Sequence, residues 1–462
     1  MNALQHCYPP DLHRVLNELP KTLDETYEQI LKRINEAQGV NAHRLLQCLT
    51  VASRPLRVEE IAELLAFDCR TSSSGGVPKS ENWLWDDHEE AILSICSCLI
   101  AIVPSGDSRV VRFSHFSVKQ YLTSPRLARS PCVDLSRFHI DLESAHTIMA
   151  QACLGTLLRL DEHDGKSDAR RSPLIKYAPQ YWVEHAQFED VSSHVRDEME
   201  DLFDSSKPHF AAWLQAHDMD EDWPHFSAGH WRYRGSPLYY AALCGFYDLA
   251  EHLITKHPDQ VNPRHGIVSP LPAALYKRHF RLANLLHKHG ADLECRGYND
   301  RTPLHSTSID GSVDVMQWLL NHGADVNSRS YGVTPVHWAA NCAQIECVQV
   351  LLSHNANINV QDDNGGTPLY WISGPQGDDK LDIVRRLLEH GADPNICDKY
   401  HLTPLHQASC QGSLGVARLL LSYGAKVDVK DYEGKTPFQR ATATRNHEIT
   451  KLLLEHGAVP PP

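Results

Sequence analysis

Histidine, with 29 copies, and cysteine, with 13, are the residue types here most able to hold a metal or move a proton. Imidazoles do so when they converge within ligand distance of one ion. His289, His322, His354, His390 and His456 instead recur at a nearly constant interval, each at the end of an apolar-periodic segment, where a donor meets the carbonyls of a helix C-terminus. His305, His337 and His406 recur at a second fixed place, three residues after Thr302, Thr334 and Thr403, where an N-cap hydroxyl can reach the ring. Side chains one interval apart cannot share an ion, so no metal site is expected.

Phosphate chemistry needs a glycine-rich loop ending in Gly-Lys-Ser/Thr, because several backbone N–H groups must converge with a lysine. Gly165-Lys166-Ser167 has Leu160 where the first glycine belongs, and Gly434-Lys435-Thr436 has Val429 there. Neither cradles a phosphate, and no hydrolase motif of the His-Glu-x-x-His or Gly-x-Ser-x-Gly kind occurs. No catalytic, cofactor-binding or metal-ligating residue is therefore assigned. The cysteines form no Cys-x-x-Cys pair and no Asn-x-Ser/Thr acceptor is present, which suggests reduced thiols in the cytosol or nucleus. The longest apolar run, Ile92 to Val103, is too short to span a bilayer, so neither a leader nor a membrane anchor is expected.

The elements that carry these histidines are set by seven Ser/Thr-Pro pairs, with prolines at 237, 270, 303, 335, 368, 404 and 437, spaced 32 to 36 residues apart. A residue before proline is excluded from the α region and proline suits the first helical position, so each pair starts a helix. In the fullest copy, Gly412 releases the chain from a first helix and Val416, Leu419 and Leu420 give the apolar stripe of a second. Gly424 stops that helix, and the polar stretch Asp428 to Gly434 turns toward the next Thr-Pro. One such unit cannot bury its own apolar face; stacking makes a continuous core, and seven exceed the roughly three required. The fifth has Tyr370 in the histidine place and three extra residues around Gly374 to Lys380; the second has Pro272 inside its first helical turn.

The phrase Thr403-Pro-Leu-His-Gln-Ala-Ser-Cys-Gln-Gly412, Gly415-Val-Ala-Arg-Leu-Leu-Leu-Ser-Tyr-Gly-Ala425 resembles the ankyrin repeat. The resemblance implies a solenoid whose hairpin tips and first helices form a concave, protein-binding strip.

The first half is not repetitive. Thr22-Leu-Asp-Glu25 predicts a capped helix to about Glu36, followed by helices over 45–52, 57–67 and 89–98, with a Ser/Gly-rich break at 72–76. Strands over 99–103 and 110–113 flank a turn at 104–107. Helices followed by a hairpin follow the order of a winged helix. Between Asn41 and Leu122 there are 8 Lys/Arg against 10 Asp/Glu, too acidic for duplex binding, so a structural winged helix is expected and a DNA-binding regulator is disfavoured. Further helices are predicted over 144–160, 174–186, 191–203 and 210–217, with a polar loop at 161–171. Tyr181, Trp182, Trp213, Trp223 and Trp231 are expected to build a core there.

Leu19-Pro-Lys-Thr-Leu-Asp-Glu-Thr-Tyr-Glu-Gln-Ile30, Leu56-Arg-Val-Glu-Glu-Ile-Ala-Glu-Leu-Leu65 and Phe113-Ser-His-Phe-Ser-Val-Lys-Gln-Tyr-Leu122 resemble the segments after the nucleotide-binding module of fungal NACHT-ankyrin, NLR-like receptors. That resemblance implies a signalling or recognition protein. Since no phosphate loop is found, the nucleotide-binding module is expected to be missing from this chain; an ATP-dependent switch completed by upstream sequence is the alternative.

The expected protein is mainly α-helical, in four segments: a helical remnant over 1–40, a winged-helix-like domain over 41–124, a helical linker over 125–232 and about seven ankyrin repeats over 233–462. Its function is expected to be non-enzymatic capture of a protein partner, with no nucleic acid, membrane, metal or cofactor. The candidate partner-binding residues are Tyr298, Asn299, Arg301, Tyr331, Val333, Asn364, Lys399, Tyr400, Leu402, Tyr432, Glu433 and Lys435 at the tips, with Cys410 and Gln411 on a first helix. Tyrosine offers large contact area at little entropic cost, which singles out the tip tyrosines.

Overall fold

The computed structural model describes residues 22–67, 88–106, 108–160, 172–217, 235–263, 269–297, 300–374 and 377–460. The break at 72–76, the loop at 161–171 with Gly165-Lys166-Ser167, and Trp223, Trp231, Tyr298 and Asn299 lie outside them. The chain forms two compact units, Met1–Gly229 and His230–Pro462. Both are mainly helical, as the sequence predicts.

In the first unit, Thr22 caps α1 (Leu23–Lys32) by accepting from the Glu25 N–H. The helix stops short of Glu36, which instead opens α2 (Glu36–Val51); a boundary at residue 40 would cut that helix. Then come β1 (Leu56–Arg57), α3 (Val58–Ala66), α4 (His88–Cys96) and the hairpin β2 (Ile100–Ser105) and β3 (Ser108–Phe113). The three strands form one antiparallel sheet in the order β1-β3-β2, with Ile102 opposite Val111 and Ser105 opposite Ser108. The hairpin therefore turns more tightly than 104–107: Pro104 and Ser105 stay in the ladder and Gly106 takes φ +58°. Two-residue strand β1 escaped the sequence reading because Leu56 and Arg57 are too few to show alternation.

Three short helices follow the sheet, α5 (Phe116–Leu122), α6 (Pro125–Ala128) and α7 (Val133–Ser136), and then the long α8 (Leu142–Leu157). The segment read as one helix over 174–186 is a 3-10 turn, Pro173–Lys176, and α9 (Ala178–Ala186), broken at Tyr177. Likewise 191–203 divides into α10 (Val191–His194) and α11 (Arg196–Leu202) at Val195, and α12 (Pro208–Ala216) is the last helix of the unit among the described residues. Trp182, Phe203, Phe210 and Trp213 form an aromatic core, with Trp182 and Trp213 edge to face at 5.3 Å between ring centres.

A buried polar chain crosses this unit. Glu60, fully buried on α3, accepts both terminal nitrogens of Arg54 (2.8 and 2.6 Å) and the Arg57 N–H (2.8 Å). The Arg54 guanidinium lies over the Tyr177 ring at 4.9 Å. The Tyr177 hydroxyl accepts from the Ser53 N–H (3.0 Å) and meets His185 Nε2 (2.8 Å), while His185 Nδ1 meets His146 Nδ1 (2.9 Å). Burial, then the neighbouring His146, holds His185 down to about 3, so both rings are neutral at pH 7. Pro179, in the first turn of α9, starts a new helix after Tyr177, and the break aims the phenol back at the residues leading into β1.

The second unit contains seven helix pairs: α13 (Pro237–Cys244) and α14 (Tyr247–Lys256), α15 (Pro270–Tyr276) and α16 (Phe280–Lys288), α17 (Pro303–Asp310) and α18 (Val313–Asn321), α19 (Pro335–Asn341) and α20 (Ile345–Ser353), α21 (Pro368–Ile372) and α22 (Leu381–Glu389), α23 (Pro404–Gln411) and α24 (Leu414–Ser422), α25 (Pro437–Ala443) and α26 (His447–Glu455). Every first helix begins at the proline of a Ser/Thr-Pro pair. The extra residues of the fifth pair form a 3-10 turn, Gly377–Lys380, after the shortened α21. Leucines and alanines on facing helices, such as Leu304, Ala339, Leu369 and Leu405, are buried, and this apolar stacking holds the unit together. No helix among the described residues is long and apolar enough to cross a membrane.

Candidate partner-binding surface

The surface depends on how consecutive pairs are registered, and the first-helix histidines set that register. Thr302 offers its N–H (3.3 Å) and hydroxyl (2.8 Å) to His305 Nδ1, and His305 Nε2 donates to the Val333 carbonyl of the next tip (3.0 Å). The geometry repeats with Thr334, His337 and the Gly366 carbonyl (3.1 Å), and with Thr403, His406 and the Lys435 carbonyl (3.2 Å). Burial lowers all three imidazoles below their ordinary range, His337 to about 4, which fixes the neutral form with Nε2–H as donor. Tyr370 replaces histidine in the fifth unit because its longer side chain reaches the Asp398 carboxylate instead, donating over 3.0 Å. Of the other histidine set, His322, His354, His390 and His456 place Nδ1 2.7 to 2.9 Å from the carbonyl four residues earlier, as their position predicts, and His289 does not. Among the described residues no group of three or more His, Cys, Asp or Glu is placed to hold a metal.

Tips are shaped by aspartates. Asp362, Asp398 and Asp431 each accept two backbone N–H groups of their own tip, for example Tyr400 and Leu402 at 2.9 Å on Asp398. Neighbouring tips pair through Lys399 N–H to Asn364 O (2.8 Å) and Tyr432 N–H to Tyr400 O (3.0 Å). Gly365 sits where these backbones meet, at φ +83°, and a Cβ there would lie 2.9 Å from Lys399 N. Gly365→Ala is expected to cost about 1–3 kcal/mol, read as a lowered urea midpoint at unchanged slope.

Two stretches, 271–362 and 369–461, match the family model for ankyrin repeats in three copies. The second unit is an ankyrin-repeat array. Residues 30–133 match the winged helix domain of GPI inositol-deacylase, in agreement with the three-stranded sheet and its helices. The chain is 29% identical over 297 residues to azaphilone pigments biosynthesis cluster protein L of Monascus ruber, covering 60% of this chain and 61% of that protein. It is 30% identical to ankyrin repeat protein nuc-2 of Neurospora crassa over 38% of this chain and 17% of that protein. It is 33% identical to human ankyrin repeat and SOCS box protein 16 over 39% of this chain and 41% of that protein. The chain thus spans less than two thirds of each of these relatives.

Within the ankyrin array the described residues chosen from the sequence fall into two groups, with the half-buried Arg301 apart from both. Exposed ones are Tyr331 (72%), Tyr432 (59%) and Tyr400 (48%), together with Asn364, Lys399, Gln411 and Glu433. Tyr331 and Gly332, at φ +47° and +76°, form a two-residue turn closed by paired Ser330 and Val333 backbones, which pushes the phenol outward. Tyr400 and Tyr432 lie ring to ring at 5.5 Å. Hydrogen bonds from Lys435 and Tyr432 hold the Glu433 carboxyl down to about 2. The other group is structural in its backbone: Val333 and Lys435 give carbonyls to the histidine ladder, Leu402 closes its tip on Asp398, and the Cys410 carbonyl accepts from Asn446 (3.2 Å).

Sequence reasoning missed Trp338 and Trp371. Each stands one residue after the histidine or tyrosine of its first helix, half-buried, and the two rings meet edge to face at 5.7 Å. Trp371 Nε1 donates to Asp362 (2.8 Å), and the Arg301 guanidinium lies 4.2 Å over the Trp338 ring. The signal was present as Thr-Pro-x-His-Trp338 and Thr-Pro-x-Tyr-Trp371, two tryptophans in the same place of consecutive units.

Proposed function

We propose that this protein captures a protein partner on the tips and first helices of its ankyrin array, without turnover, in a receptor-like or scaffold role. The observation that carries the reading is the row of outward tyrosines, Tyr331, Tyr400 and Tyr432, on tips whose backbones are already fixed, the first by the paired Ser330 and Val333 backbones and the other two by aspartates and an inter-tip hydrogen bond. Preorganised aromatic side chains bind with little ordering cost. The resemblance of the first unit to the region following a nucleotide-binding module supports the receptor-like role. DNA binding is disfavoured by charge: residues 1–229 hold 22 Lys/Arg against 35 Asp/Glu.

The test is the combined substitution of Tyr331, Tyr400 and Tyr432 by serine in the full chain, followed by affinity capture from extract of the source cells. Loss of the wild-type partners at an unchanged melting temperature is the expected result. Retention of those partners would overturn the assignment.

A further inference from the structure

The Arg301–Trp338–Trp371 cluster holds a surplus of donors. Among the described residues the Arg301 side chain makes neither hydrogen bond nor ion pair, although Arg296, Arg278 and Arg440 are each paired with a carboxylate. Beneath it, Trp338 Nε1 is buried and without a hydrogen-bond acceptor. Asp362, which holds the neighbouring Trp371 Nε1, also accepts the N–H groups of Asn364 and Gly366. Lys380 reaches the same first-helix strip, donating to the Asn341 carbonyl (2.6 Å). The adjacent Cys342 thiol, pushed up by burial, senses both Lys380 and Arg301, opposed by Asp310, which is itself already engaged.

A planar guanidinium held 4.2 Å over an indole is positioned to meet a carboxylate with two parallel hydrogen bonds, and the neighbouring indoles offer apolar contact. We propose that this cluster is the anchor of the partner surface and takes a carboxylate-bearing side chain beside an apolar residue, so that the partner presents an acidic peptide segment. The assignment rests on the partner-capture reading above and specifies its chemistry. Charge complementarity is local: residues 230–462 are nearly balanced, with 22 Lys/Arg against 23 Asp/Glu, so the selectivity comes from Arg301 and Lys380.

The experiment presents the full chain to a displayed library of random dodecapeptides and repeats the selection with Arg301→Gln and with Arg418→Gln, an exposed arginine on α24 that serves as control. Wild type and Arg418→Gln should enrich peptides with Asp or Glu next to an aliphatic or aromatic residue. A fluorescein-labelled synthetic copy of the best peptide should bind Arg301→Gln roughly tenfold more weakly, as expected for loss of one charge-assisted pair. Its Glu→Gln version should lose as much on wild type, and thermal unfolding of Arg301→Gln should match wild type. Enrichment without acidic residues, or affinity indifferent to Arg301→Gln, would overturn this inference and leave partner capture standing. A phosphoserine replacement of the glutamate binding a hundredfold tighter would overturn it in favour of a phosphopeptide. Recovery of no peptide at all would count against both.

Discussion

His337→Ala lowers the stability of the ankyrin array by about 2–4 kcal/mol, because it empties a fully buried site, leaves the Thr334 N–H unpaired and strips the Gly366 carbonyl of one of its two donors, the Asp362 N–H remaining. No other single side chain in the fourth unit joins its own N-cap to the next tip. The same imidazole makes stability depend on pH with a defined sign. Its folded pKa of about 4 lies below the unfolded value of 6.5, so the unfolded chain takes up a proton that the folded one refuses. Its contribution is therefore complete above pH 6.5 and drains as the pH falls toward 4, by about 2 kcal/mol at pH 5. His305 and His406 are shifted in the same direction by the same burial. Urea unfolding at pH 8 and pH 5 checks this: the wild type should lose more stability between the two than His337→Ala does. Equal losses would remove the ladder from the account.

Trp213→Ala is expected to cost about 3–5 kcal/mol in the first unit. The indole is fully buried, donates to the Pro179 carbonyl (3.1 Å), and touches Trp182, Phe203 and Phe210 at once. Removing it opens a cavity at the centre of α9, α11 and α12 that aromatic neighbours are too rigid to fill. Hydrogen exchange followed by mass spectrometry should show faster exchange in peptides from 142–217 and unchanged protection in peptides from 302–456. Unchanged protection in the first unit would mean that these rings do not form its core.

The array was legible because its grammar is local. A Ser/Thr-Pro pair fixes a helix start through backbone sterics alone, and a residue at a fixed offset can be read without knowing its neighbours. The histidine roles followed from the same logic, although Nε2 donation to the next tip needed the structure, since no pattern within one unit reveals its acceptor. In the first unit the long amphipathic segments were visible, whereas β1, α5, α6 and α7 are too short for periodicity to speak. The break at Val195 was hidden because apolar spacing continues across it, whereas Pro179 marks the one at Tyr177; what could not be seen is that the phenol there meets Ser53, 124 residues away. Of the candidate surface, the tip tyrosines could be chosen by type and place. Trp338 and Trp371 passed unnoticed because each looks like an ordinary core aromatic until Arg301 is found lying on one of them.

The histidine ladder has a consequence for how such a chain can change length. His305 addresses the carbonyl of Val333, and the unit that follows, residues 334–366, ends in a carbonyl of the same role at Gly366. Excising those 33 residues would join Val333 to Thr367, so that the donor of one unit still meets the acceptor it met before and the next Thr-Pro follows in step. A gene built this way can gain or shed whole units by recombination without breaking the seam.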